Sequence, residues 1–328
     1  MSDQYIYAVG RIRVMETRLL DAAKINRMAE APDAEEAFKV LGETEYAAHL
    51  ADFQDVNRFE EVLAAEQRRV YLELRKMLPD SALIDLFAYQ FDYHNLKVLL
   101  KAARLKENRD DLLIPDVGNI PLEELVMAVS SGDYSQLPER MRTAAEKITA
   151  DFQPYLVDLW LDRALYEELL AGAKRLRSAF LQGYFTALTD LLNIKTFIRV
   201  KRLKGSADFL AAALLPGGKL DLLNLLSLED TLEEMAERLA DTPYAQVVAE
   251  GLASYQQTET LTRYEKLVDN YLLDYIKQAK YTVIGFEPVV GYLLAKENEL
   301  KLIRIIMVGK INQLPVAEIR ERLRDVYV

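Results

Sequence analysis

At 328 residues the chain is long enough to bury about three quarters of its unfolded surface, so a large hydrophobic core needs no staples. Hydrophobic residues at 51% and charged residues at 28% exclude a mostly disordered chain, and the absence of cysteine excludes a disulfide framework, a thiolate zinc site and a cysteine nucleophile. A formal net charge of −11 disfavours nucleic acid as a partner, because the long-range field repels phosphate.

Glycines number 13 and prolines 10, alternating β-branched runs are scarce, and Leu, Ala, Glu, Lys and Arg dominate, so the expected fold class is all-α. The opening Met1-Ser2-Asp3-Gln4 carries an acid where a signal peptide needs basic residues, and no apolar segment follows. Apolar runs such as Phe209 to Leu215 fall far short of the ~20 residues needed to cross a bilayer. Both observations predict a cytoplasmic protein.

Two elements repeat along the chain. The first is a short acidic helix, a turn and a tyrosine, running from Asp33 to Tyr46. Without a gap, Glu36, Leu41, Thr44 and Tyr46 align with Glu234, Leu239, Thr242 and Tyr244; a weaker copy contains Glu123, Glu124 and Tyr134. Asp33 with Glu36, and Thr231 with Glu234, have capping-box spacing. The second element is Asn95-Leu96-Lys97 followed by Arg104, repeated 98 residues later as Asn193-Ile194-Lys195 followed by Arg202. Glu299-Leu300-Lys301 is the third copy.

Each second element lies in a long predicted helix preceded by another: 56–78 with 82–106, 155–174 with 177–204, and 255–282 with 285–310. From Phe180 to Ile198, apolar residues at Tyr184, Leu188, Leu191 and Ile194 keep three- and four-residue steps, which defines one buried face. Pro79 ends one helix and Ser81 caps the next; Pro121, Pro154, Pro243 and Pro315 suit first turns, and Gly217-Gly218 a loop. Glu107 to Ile120 reads as a linker. The expected organisation is three helical units, 1–110 with an N-terminal helix, 111–215, and 216–328 with a C-terminal helix. They would form one compact assembly around a pseudo-threefold axis, because three one-faced units bury those faces only on one another.

Residues able to do chemistry are few. His49 and His94 are the two histidines, and Glu45 four residues before His49 lacks the Glu-x-x-His step and further carboxylates of helical-bundle metal sites. Asp110-Asp111 has no second acid three residues on and reads as a solvated turn rather than a magnesium site. Gly217-Gly218-Lys219 lacks the earlier glycine and the Ser/Thr of a phosphate-binding loop. Lys97, Lys101 and Arg104 share one helix face, as do Lys195, Arg199 and Arg202. These stripes predict ion pairing with neighbouring helices or contact with an acidic partner or anionic headgroups. Of 18 tyrosines, Tyr5, Tyr7, Tyr71, Tyr89, Tyr93, Tyr184, Tyr264, Tyr271, Tyr275 and Tyr292 fall in predicted helices, where core-edge packing with the hydroxyl on a polar partner is expected. No catalytic, cofactor-binding or metal-binding residue is assigned, no cofactor is expected, and partner-binding residues are not assigned.

The opening Tyr5-Ile6-Tyr7-Ala8-Val9-Gly10-Arg11-Ile12-Arg13, together with Phe91-Asp92-Tyr93-His94-Asn95-Leu96-Lys97, Asp190-Leu191-Leu192-Asn193-Ile194-Lys195 and Glu297-Asn298-Glu299-Leu300-Lys301-Leu302-Ile303-Arg304, resembles the C subunit of the V/A-type (vacuolar/archaeal-type) ATPases and ATP synthases, the counterpart of the eukaryotic V-ATPase d subunit. The resemblance runs from first helix to last. It implies a funnel-shaped, non-catalytic component at the cytoplasmic face, held on the membrane rotor (proteolipid) ring and receiving the central-stalk shaft. Torque would pass through it for ATP-coupled ion transport, with membrane contact only through the ring. The net acidity implies a partner that presents basic residues. Two other classes compete: a helical-repeat adaptor or scaffold, and, poorly supported without acid-rich motifs, a magnesium-dependent isoprenoid diphosphate enzyme.

Overall fold

The computed structural model describes residues 5–50 and 55–328. Met1 to Gln4, on which part of the expectation about a signal peptide rests, lie outside the described residues. In chain order the α-helices are α1 (Ile6–Glu16), α2 (Ala22–Glu30), α3 (Ala34–Leu41), α4 (Ala47–Leu50), α5 (Phe59–Met77), α6 (Ala82–Leu105), α7 (Leu122–Ser131), α8 (Glu139–Ala150), α9 (Pro154–Arg175), α10 (Ala179–Arg202), α11 (Ala207–Ala213), α12 (Leu222–Leu225), α13 (Leu232–Arg238), α14 (Ala245–Thr258), α15 (Thr262–Lys277), α16 (Glu287–Ile311) and α17 (Val316–Arg322). No strand occurs among the described residues, so the all-α expectation holds. The chain divides into two compact units: Met1–Asp80 with Leu239–Val328, and Ser81–Arg238.

The first unit is organised around α16. That helix packs against α1, α2, α3, α5, α15 and α17, and a helix so surrounded needs apolar residues on more than one side. Val289, Val290, Tyr292 and Leu293 line its first half, and Leu300, Ile303, Ile306 and Met307 its second, all buried. Met28, Phe38, Leu41, Val62 and Ile319 from α2, α3, α5 and α17 complete one cluster around the second half. Helices begin where short polar side chains satisfy orphan amides. Asp21 caps α2 through Lys24 N, and Asp33 caps α3 through Glu36 N.

In the second unit, Tyr93, Leu96 and Leu100 of α6 pack on Leu125 of α7, Met141 and Ile148 of α8, and Val157 and Leu161 of α9. Gly172 lets α6 and α9 approach closely, since a Cβ there would stand 2.2 Å from Leu86 Cδ1. Tyr184, Leu191, Ile194 and Ile198 of α10 are buried as expected, while Phe180 and Leu188 of the same face are half-buried; Leu181, Phe185 and Phe197 are buried as well, so more than one face of this helix is covered.

The first repeated element is reproduced in atomic detail. Thr44 Oγ1 donates to Leu41 O at 2.6 Å and accepts from Tyr46 N at 3.3 Å; Thr242 Oγ1 does the same with Leu239 O at 2.7 Å and Tyr244 N at 3.3 Å. Tyr46, Tyr134 and Tyr244 are all buried. Thr231 and Glu234 form the reciprocal capping box, each side chain accepting the other's backbone N–H.

Three expectations need correction. The helix expected over 255–282 is broken: α14 ends where Glu259 takes a left-handed conformation at φ 54°, and beyond α15 the backbone tightens to a 3-10 turn over Gln278–Tyr281. Ser81 occupies the N-cap of α6 without a side-chain bond to it. Pro243 lies in the turn before α14, whereas Pro154 opens α9 and Pro121 and Pro315 stand at N-caps. The stretch from Glu107 to Ile120 is the expected connection, between α6 and α7, and three side chains of α6 hold it down.

Candidate functional site: loop clamps and a buried ion network

Asp92 and Asn95 sit one turn apart on α6, buried in mid-helix, where polar groups must find partners. Their partners are the backbone of the following loop. Asn95 Nδ2 donates to Ile114 O and its Oδ1 accepts from Ile114 N, both at 2.8 Å, so the carboxamide pairs with a residue as a neighbouring strand would. Asp92 accepts from Asn119 N at 2.9 Å and Ile120 N at 3.0 Å. His94 adds a bond from its Nε2 to Leu112 O at 2.8 Å.

The same clamp recurs on α10. Asn193 makes both bonds to Leu215, at 2.9 Å to O and 2.7 Å from N, and Asp190 accepts from Leu220 N at 3.0 Å. Ile114-Pro115-Asp116 and Leu215-Pro216-Gly217 turn alike: proline presets φ, and the next residue has positive φ, 63° for Asp116 and 96° for Gly217. Behind the clamps stand Gly118 and Gly218, where a Cβ would come within 2.1 Å of Asp92 Oδ1 and 2.3 Å of Asp190 Oδ1. Gly118→Ala is therefore expected to displace the carboxylate from its amides and destabilise the protein by about 1–3 kcal/mol. Thermal unfolding of that variant measures the loss, and an unchanged midpoint would contradict the clamp.

On α16 the corresponding positions are Lys296 and Glu299, and the chemistry changes. Glu299 Oε2 accepts from Leu20 N, at the corner between α1 and α2. Leu20, Ile120 and Leu220 thus each give their amide to a buried carboxylate, and each stands two residues before a short helix. Glu299 Oε1 accepts from Tyr46 Oη at 2.8 Å and Lys296 Nζ at 2.7 Å. Lys296 Nζ also lies 2.8 Å from Glu66 and 4.7 Å from the centre of the Tyr46 ring. Glu66 in turn meets Arg69 at 2.8 Å and His49 Nε2 at 3.1 Å.

Lys296 and Glu66 are essentially without exposure, so burial alone would neutralise both. Burial pushes Glu66 up, but Arg69 and Lys296 outweigh it and bring its carboxyl down to about 2. Burial likewise pushes Lys296 down, and the Glu299 and Glu66 carboxylates reverse this and raise it. Neither titrates near neutrality. The network fastens elements together rather than passing protons.

The other sequence candidates fall outside such a centre. Glu45 and His49 do meet the network, Glu45 through Arg69 at 3.4 Å, yet no group of three or more His, Asp or Glu suited to a metal occurs among the described residues. Asp110 and Asp111 form an exposed single turn, and Gly217-Gly218-Lys219 forms the clamped loop. Lys97 pairs with Asp162 and Lys101 with Asp158, both on α9, while Arg104 lies over the Phe152 ring at 5.6 Å. Lys301 pairs with Asp269 of α15, and Arg304 with Glu60 of α5 at 2.7 Å. Ion pairing between helices, the first of the two readings of the stripes, accounts for Lys97 and Lys101, and Lys301 and Arg304 on the third copy pair in the same way.

Among the tyrosines, Tyr71 donates to Glu297 at 2.6 Å, but the hydroxyls of Tyr93 and Tyr292 are buried without a partner, contrary to expectation. There the ring's apolar area outweighs the hydroxyl. Lys296, Glu66 and Asp92 went unremarked as sites in the sequence. The available signals were the pair of aspartates three residues before the repeated asparagines, and Lys296 directly after the uncharged run Pro288–Ala295.

These features define an all-helical protein whose buried polar groups serve to lock loops onto long helices. The chain belongs to the ATP synthase (C/AC39) subunit family, whose sequence model matches residues 8–322. It is 27% identical to the C subunit of the A-type ATP synthase of Methanocaldococcus jannaschii, over 97% of this chain and 86% of that one. Identity to the C subunit of the V-type sodium ATPase of Enterococcus hirae is 26%, covering 96% of this chain and 97% of the relative. The C subunit of the A-type ATP synthase of Thermococcus gammatolerans is also 26% identical, over 92% of this chain and 84% of the relative.

Proposed function

We propose that this chain is a non-catalytic coupling component of a V/A-type rotary ATPase, which joins the central-stalk shaft to the membrane rotor ring and transmits torque between them. The observation that carries the reading is the match to the ATP synthase (C/AC39) family along almost the whole chain. The repeated clamps at Ile120, Leu220 and Leu20 support the three-unit organisation, 1–110, 111–215 and 216–328, around a pseudo-threefold, funnel-like arrangement. A torque-bearing part must be stiff, and loops bonded through buried carboxylates and carboxamides resist shear better than loops held by solvent-exposed contacts. No helix among the described residues is long and apolar enough to cross a membrane, which suits peripheral attachment at the cytoplasmic face through the ring.

Native mass spectrometry of the chain mixed with a detergent-solubilised rotor ring and the shaft proteins is expected to give a ternary complex containing one copy of this chain. Absence of binding to either partner, with both shown competent, would leave the helical-adaptor reading.

A further inference from the structure

The end of α10 gathers positive charge in a chain that is acidic as a whole. From 191 to 220 the sequence carries Lys195, Arg199, Lys201, Arg202, Lys204 and Lys219 against one acid, Asp208. Lys204 stands at the tip in the left-handed conformation, φ 53°, where the amides of Lys204 and Gly205 return to the carbonyls of Lys201 and Val200 and close the helix. Glycine takes such a position without the steric penalty that a side chain brings, so what lysine adds there is an exposed cation. Lys204 makes no ion pair among the described residues. Beside it Leu203 is 77% exposed, and the exposed rings of Phe209 on α11 and Tyr155 on α9 meet edge to face at 6.0 Å. Ser206 fixes the start of α11 here by accepting from Phe209 N at 3.1 Å. Cations at a helix C-terminus complement its dipole, but that accounts for none of the apolar exposure.

We propose that this corner, Arg202 to Phe209 with Tyr155, docks on the anionic headgroup layer of a membrane. Leu203, Phe209 and Tyr155 enter the boundary between headgroups and acyl chains, and Arg202 and Lys204 meet the lipid phosphates and carboxylates. Interfacial binding is strengthened by two signals together, apolar area and basic charge, and the end of α10 supplies both. Long cationic side chains follow an apolar neighbour into the interface, because their stems are apolar while their heads stay in water. An acidic protein suits the corner less well. The cores of protein interfaces pack as densely as interiors, and Leu203 has no neighbouring wall to complete such packing, whereas fluid acyl chains need none. The net charge of −11 does not forbid the contact, since at physiological salt charges farther than about 8 Å are largely screened and the corner presents its own sign. The equivalent end of α6 supplies a contrast. Leu105 is 59% exposed there and Lys106 is left-handed at φ 56°, but Glu107, Asp110 and Asp111 follow at once and cancel the positive charge. The coupling reading gives the chain membrane contact only through the ring; this contact is the chain's own and stands apart from that reading.

Sedimentation of the full chain with lipid vesicles tests this without any partner protein. Vesicles of phosphatidylserine and phosphatidylcholine in equal parts are expected to carry the chain down at low salt, and vesicles of phosphatidylcholine alone to leave it in solution. Lys204→Gly keeps the left-handed turn while removing the charge, and is expected to weaken binding about fivefold. Leu203→Ser is expected to weaken it about tenfold. Lys106→Gly, which removes the same charge from the equivalent position on α6, is expected to leave binding unchanged. All three side chains are exposed, so the variants keep the fold. No sedimentation with the anionic vesicles, or equal losses from Lys106→Gly and Lys204→Gly, would overturn the proposal. Binding to polyglutamate with none to vesicles would overturn it too, and assign the corner to an acidic protein. The assay contains neither ring nor shaft, so its failure leaves the coupling reading to be decided by mass spectrometry.

Discussion

Replacing Lys296 by methionine is expected to lower the unfolding free energy by about 3–5 kcal/mol, because it leaves the Glu66 and Glu299 carboxylates buried without their shared cation. Methionine matches the aliphatic stem in volume, so the loss reports charge rather than a cavity. Urea denaturation measures it. Pairing Lys296→Met with Glu66→Gln should recover a substantial part, since the pair is in contact and its effects are not additive. A loss below about 1 kcal/mol would mean the cluster is solvated enough to rearrange.

Acid should find the same place. Glu66 is held down to about 2 from its ordinary 4.5, so its folded state binds the proton less readily than its unfolded state. Its contribution is complete above pH 4.5 and is withdrawn as pH falls from there toward 2. The amount is roughly 3 kcal/mol, at about 1.36 kcal/mol per pH unit. Stability measured by denaturant titration across that window should fall more steeply for the unmodified chain than for Glu66→Gln, whose profile lacks this component. Equal slopes would assign the acid sensitivity to other carboxylates.

Much of the architecture was legible because it is periodic. The long helices at 59–77, 82–105, 154–175 and 179–202 lie within a few residues of the expected spans, since stretches with three- and four-residue apolar spacing can bury their faces only as helices. The break at Glu259 was not legible, because nothing local forbids a helix there; the interruption is a left-handed cap backed by Thr258 and Thr260. The asparagines Asn95 and Asn193 were visible as a repeat, but not their purpose. A carboxamide's partner lies about 20 residues downstream in a loop, and the cue there was Ile114-Pro115 set against Leu215-Pro216, with Gly118 a hundred positions before Gly218. The buried network was the least legible part. Lys296, Glu66 and Tyr46 come from three distant stretches, and charged residues in helices read as surface until packing closes over them.

The division of the chain carries a consequence for its synthesis. Residues 81–238 are contiguous and leave the ribosome as a complete folding unit, whereas the other unit is assembled from the first 80 residues and the last 90. At ordinary elongation rates the N-terminal helices wait on the order of tens of seconds before α16 emerges to cover Met28, Phe38 and Val62. During that interval their apolar faces are without their partner, so the nascent chain carries uncovered core surface until α16 appears.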